Sequence, residues 1–173
     1  MGVTSFPILS GAQVTANGDT SAKTEPGTIF AYKSGTDQWS MVEYVQADNN
    51  VITRYSPVVK NFATLKSYSV KLCGSSESGG PIRGISLATI ASQRYGFVTI
   101  GGYVENAQVS HTTASGEYLM VSASATGQLT PHLASVFNAG TQGNASMFMI
   151  VGVSHGIIAT DAAGSITLCG VWA

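Results

Sequence analysis

Charge is what this sequence has least of. Lys and Arg number eight, and Asp and Glu nine, in 173 residues. That is 10% charged residues, against roughly 25% in a typical soluble domain. A globule of this size exposes on the order of 8,000 Å², so Ser, Thr, Gly, Asn, Ala and apolar atoms must make up most of its surface. Such a surface suits stable burial against partners, because few charges need desolvating. The net charge of −1 and the absence of any Lys or Arg after Arg94 argue against a nucleic-acid partner, which requires clustered cations. Two cysteines, Cys73 and Cys169, are too few for a disulfide framework. The sequence leaves a single bridge between them open. The longest strongly apolar run, "MFMIVGV" (147–153), falls far short of the roughly 18 residues of a membrane helix. The opening "MGVTSFPILSGAQ" lacks the basic and apolar regions of a secretory signal.

What remains is β text with turn punctuation. Residues 1–27 are small and polar, with Asn17-Gly18 and Pro26-Gly27 as turn signals. They read as an extended N-terminal arm preceding a single β domain over 28–173. "TIFAYK" alternates, "WSMVEYVQA" (39–47) returns from the turn at 34–37, and "VITRYSPVV" (51–59) is β-prone up to Pro57, which is expected to end the pairing or mark an edge. "SYSVKLC" and "PIRGISLATIA" follow. "ASQRYGFVTIGG" (91–102) then sets Tyr95-Gly96-Phe97 in a strand that is expected to close at Gly101-Gly102. In "GEYLMVSAS" (116–124), Leu119, Val121 and Ala123 share a face. "TGQLTP" and "HGIIATDAAG" read as turns, and "SITLCGVWA" as a closing strand. Many short strands and no long helical period predict an all-β fold, a small barrel or sandwich. Ile90, Val98 and Ile150 are expected in its core.

Two motifs resemble catalytic signatures and fail on chemistry. Gly152-Val153-Ser154-His155-Gly156 matches G-x-S-x-G, but β and turn text follows where the nucleophile elbow needs a helix, and no later His exists. "ESGGP" (77–81) would make Ser78 a nucleophile, yet no His precedes it to serve as base. His111, His132 and His155 lie too far apart in sequence for a ligand pair, read as surface or loop residues, and Cys73 and Cys169 have no CxxC partner. No enzyme activity, cofactor or metal is expected. The aromatic residues Trp39, Tyr44, Tyr68, Tyr95, Phe97, Tyr103 and Tyr118 offer an alternative, a carbohydrate-binding or host-adhesion module. Such residues more often pack cross-strand pairs and interfaces.

The order of motifs over residues 27–173 resembles the small head decoration (cement) proteins of tailed bacteriophages. "GTIFAYKSGTDQWSMVEYVQADNNVI" is similar to the family's opening hairpin. "ISLATIASQRYGFVTIGGYV" resembles its central run of apolar strand, Ala-Ser turn, aromatic-Gly-aromatic unit and closing glycine. "ASGEYLMVSASATGQLT", "MIVGVSHGII" and "SITLCGVWA" resemble the strands that follow. The segment "NFATLKSYSVKLCGSSESGG" and residues 1–27 depart from the compact pattern. The resemblance implies a virion protein, made in the host cytoplasm and mounted on the outer face of the capsid. There it would act as a homotrimer that bridges units of the major capsid protein. On that reading Phe6, Ile8, Tyr95, Phe97, Tyr103 and Trp172 are the expected interface residues, with Tyr95 and Phe97 placed in the core or at the subunit contact.

Overall fold

A computed structural model describes residues 6–34, 37–61, 66, 68–74, 82–122, 125–132 and 150–169. The fold is all-β. Its strands are β1 (Ile8–Leu9), β2 (Ile29–Lys33), β3 (Trp39–Ala47), β4 (Pro57–Lys60), β5 (Ser69–Leu72) and β6 (Ile82–Ser86). They continue with β7 (Tyr95–Val109), β8 (Tyr118–Val121), β9 (Leu129–Pro131), β10 (Ile150–Ser154) and β11 (Ala162–Leu168). The strands form one sheet in the order β1-β2-β3-β5-β4-β6-β7-β11-β10-β8-β9, with extra pairings β3–β7 and β7–β9. These two pairings close two circuits that share β7. One runs β3-β5-β4-β6-β7 and the other β7-β11-β10-β8-β9. Each circuit has a narrow link, two residue pairs between β3 and β5 in the first and one between β7 and β9 in the second, so neither is a regular barrel.

β7 belongs to both circuits because it is long and bent. It does not close at Gly101-Gly102, as the sequence suggested, but runs 15 residues through them. Against β3, Met41 faces Gly101 and Val42 faces Thr99, which leaves Ile100 as an extra residue. Against β11, Gly164 faces Ala107 and Ile166 faces Val104. Bulges of this kind bend a strand and sharpen its twist. Gly102 sits at φ +85°, and a Cβ there would lie 2.6 Å from the Trp39 carbonyl oxygen. Gly102→Ala is therefore expected to destabilise the fold by about 1–3 kcal/mol. Chemical denaturation within about 0.5 kcal/mol of wild type would contradict that role.

Each circuit surrounds apolar side chains. Val45, Ala47, Ile52, Val58, Val70, Ile90 and Val98 fill the first. Val104, Ala107, Val109, Leu119, Val121, Leu129, Ile166 and Leu168 belong to the cluster of the second. A third cluster joins Leu9, Val42, Tyr44 and Phe97, with Phe30, Tyr32 and Tyr95 against it. Gly96 serves the first circuit. A Cβ there would lie 2.7 Å from Cγ1 and Cδ1 of Ile90, which is fully buried. Its missing side chain thus makes room for an isoleucine.

Several sequence expectations shift for local reasons. Pro57 opens β4 instead of ending a strand, a position where its missing N–H is tolerated. Leu129–Pro131 pairs with β8 and is strand, not turn. β11 begins at Ala162, inside the run read as a turn. Ile90 and Val98 are core residues, but Ile150 is only half-buried and lies opposite Met120. Ala123 lies outside the described residues. Within the segment read as an arm, bonds to later strands begin at Pro7, whose carbonyl accepts from Ala31 N–H. β1 pairs in parallel with β2, and Asn17 and Asp19 bridge to Ile90 and Tyr95.

One ion pair is built into the sheet. Glu43 on β3 is 2% exposed. Arg83, on β6, donates to it from Nε and Nη2, each at 2.6 Å.

Candidate functional site

The expected interface residues separate into three environments. Phe97 is buried within the chain, its ring 4.9 Å from that of Tyr44 and edge-on to Phe30 at 5.6 Å. Tyr95 stacks on Tyr44 at 5.9 Å and is half-buried. Phe97 belongs to the core, and Tyr95 packs against it while staying partly exposed. Phe6 and Ile8 are exposed, at 50% and 68%, on or beside the edge strand β1. Tyr103 is half-buried on β7, where its hydroxyl donates to Ser165 Oγ at 2.9 Å. Trp172 lies outside the described residues.

A surface that the sequence reading did not single out stands at the far side of the sheet. Leu119, Val121, Ile166 and Leu168 point into the core, so strand alternation turns Tyr118, Met120, Ser165 and Thr167 outward. The registers place Tyr103 opposite Thr167, Thr167 opposite Val153, and Val153 opposite Tyr118. This makes a lateral row across four strands, about 14 Å wide at the usual strand spacing. A second row sets Ile150 and Thr130 on either side of Met120. Tyr118 is 54% exposed, and the other members of both rows are half-buried. Strands β8 to β11 contain no Asp, Glu, Lys or Arg. Ile157, in the turn between β10 and β11, is 81% exposed. The signals were already in the sequence: the alternation of Tyr118 and Met120 with Leu119 and Val121, and the lack of cations after Arg94.

The N-terminal segment is pinned by a polar cluster at its other end. Asp19, 5% exposed, accepts from Thr15 Oγ1 at 2.7 Å and from the Tyr44 hydroxyl at 3.0 Å. Lys23 Nζ lies 2.6 Å from the same carboxylate. Burial alone would raise the Asp19 carboxyl, but donation from Lys23, Thr15 and Tyr44 outweighs it and holds the group below its ordinary value. Burial, helped by Asp19, pushes the Tyr44 hydroxyl up to about 12, so it stays a donor. A carboxyl depressed in the folded state contributes stability above its unfolded value of about 3.9. That contribution is lost as pH falls through the folded value. Protection factors of the amides in residues 6–27 are therefore expected to fall below about pH 4, and Asp19→Asn should flatten this dependence. Identical acid profiles for the two proteins would assign the pinning to other contacts. Lys23 is 63% exposed, so solvent screens its share of the stabilisation.

Of the two catalytic look-alikes, the structure describes the first. Ser154 ends a strand, is 2% exposed, and donates its hydroxyl to the Ala114 carbonyl. His155 Nε2 is 2.6 Å from Thr167 Oγ1, on a different strand. Ser78 lies outside the described residues. Cys73 is buried, Cys169 is exposed, and they are not bonded to each other. His132 is buried rather than on the surface.

No family model matches the chain, and no curated protein matches it. Among solved structures, it is similar to the N base of the head fiber gp8.5 of bacteriophage phi29. The identity is 7% and the TM-score 0.48, over 76% of this chain and 97% of that one.

Proposed function

We propose that the protein is a non-enzymatic decoration (cement) protein of a phage head. In this reading it binds the outer surface of the capsid as a homotrimer and stabilises contacts between major capsid protein units. The observation that carries the proposal is the uncharged outer face of β8, β10 and β11. Apolar and hydroxyl side chains in register across several strands can be buried without stranding a charge, as obligate contacts require. The motif order over residues 27–173, similar to the decoration family, supports the same reading. We assign this face to the contact between copies. The exposed Phe6 and Ile8, on a segment anchored by the Asp19 cluster, are assigned to the capsid. The outer edge of β1 offers backbone groups to an added strand there.

The test is the native mass in solution, followed by capsid binding. Light scattering is expected to give about three times 17.9 kDa, independent of dilution. Val153→Glu and Tyr118→Glu place a charge on the face without touching the core. They should yield folded monomers that no longer saturate empty capsids. A wild-type monomer that also fails to bind capsids would overturn the proposal. Wild-type trimers that tolerate both charges would move the contact to another face.

A further inference from the structure

A cleft of about 440 Å³ lies between the N-terminal segment, the end of β2, the turn at Arg54-Tyr55 and β7. Its size falls within the usual range for small-molecule sites, about 300–1,000 Å³. Asn17, Tyr32, Arg54, Tyr55, Leu87 and Glu105 are among the residues that line it. Arg54 is stacked over the Tyr55 ring at 4.2 Å and donates from Nε to the Leu87 carbonyl at 3.3 Å. The guanidinium is thus held flat against the wall. The Tyr32 hydroxyl is raised first by burial and then by the nearby Tyr55 and Glu105, with Arg54 opposing them. Four polar heads therefore converge on one opening.

Tyr55 is the residue that marks the cleft as a built site. It adopts φ +63°, a conformation that a bulky side chain pays for and that Gly or Asn adopts with little strain. Its N–H donates to the Ser86 carbonyl at 2.9 Å, and its carbonyl accepts from Gln108 N–H at 3.2 Å. The backbone is clamped from both sides while the ring is delivered to the cleft wall. Strained residues of this kind cluster at binding sites.

We infer that this cleft binds a neutral saccharide of one or two rings. A tyrosine face takes the C–H face of a pyranose. Glu105 accepts from sugar hydroxyls, and Arg54 and Asn17 donate to them. One cation and one anion leave the cleft with no net sign, which disfavours phosphates. Arg54 already occupies one face of Tyr55, which disfavours quaternary ammonium ligands. The cleft borders the outward face at Tyr103, which belongs to both, but its Arg54, Tyr55 and Glu105 lie outside the rows assigned to the contact between copies, so the inference does not rest on the decoration reading.

The test titrates the ¹⁵N-labelled full chain with glucose, galactose, N-acetylglucosamine and maltose, and with tetramethylammonium as a cation control. At least one sugar is expected to shift the amides of Tyr32, Tyr55 and Glu105 with a Kd of about 1 mM. Tyr55→Asn should keep or raise thermal stability, because Asn suits the positive φ, and should weaken the response at least about tenfold. Glu105→Gln should weaken it as well. The inference is overturned if no sugar gives saturable shifts by about 50 mM, or if the shifts map elsewhere. It is likewise overturned if only tetramethylammonium saturates, or if Tyr55→Asn binds sugar like wild type.

Discussion

Arg83→Ala is expected to destabilise the protein by about 3–5 kcal/mol, because it strands the Glu43 carboxylate inside the sheet. Glu43 is 2% exposed, and β2 and β7 flank it on either side. Arg83 supplies both of its charge-assisted bonds at 2.6 Å. Removing the guanidinium removes the partner without returning the carboxylate to water. The melting temperature should fall by roughly 6–20 °C for a domain of this size. Arg83→Lys restores a charge but not the two-pronged geometry and should fall between. The double variant Glu43→Leu/Arg83→Met removes both charges and should recover most of the loss, since such pairs are often replaced at no net cost. Urea denaturation of the four proteins is the measurement. An Arg83→Ala protein within about 1 kcal/mol of wild type would mean that water or another cation reaches Glu43.

Phe97→Ala is expected to cost about 3–5 kcal/mol as well, for a different reason. Phe97 is 6% exposed and contacts the rings of Phe30 and Tyr44. Truncation leaves a void, and β3 and β7 cannot close it without breaking their ladder. Two aromatic contacts, each worth about 0.5–1.5 kcal/mol beyond area burial, are lost with it. Phe6→Ala and Ile8→Ala are expected to stay within about 0.5 kcal/mol, because both side chains are largely exposed. Their effect should appear in capsid binding instead. Comparable losses at Phe6 and Phe97 would show that the two rings do not divide between contact and core in this way.

Much of this architecture was legible as text. The all-β class follows from short alternating segments with Gly, Asn, Asp and Pro between them. The alternation in "GEYLMVSAS" named Leu119 and Val121 as inward. It also implied Tyr118 and Met120 as outward, and the same half of the chain carries no cation after Arg94. Ile90 and Val98 were legible as core because both sit in β-branched runs. Ile150 was misplaced because its run is apolar on both faces, and periodicity then cannot say which face is covered.

Pairing between distant strands was not legible. Whether Gly101-Gly102 ends a strand or bends one depends on β3 and β11 lying alongside to continue the ladder through the bulges. Pro57 opens a strand only because β5 and β6 flank it. Asp19 directly follows the Asn17-Gly18 turn signal in the segment read as an extended arm. It becomes an anchor only when Tyr44, 25 residues later, brings its hydroxyl to the carboxylate. The Arg83–Glu43 pair spans 40 residues, and the Arg54-Tyr55 turn lines one cleft with Glu105, far along the chain. Local sequence therefore determined which residues could be strand, turn, inward or outward, since those choices depend on a residue and its near neighbours. The tertiary structure decided which charges met, which tyrosines lined a cleft and which apolar face remained uncovered. Those outcomes depend on register between strands far apart in the chain, and no short window of sequence contains that information.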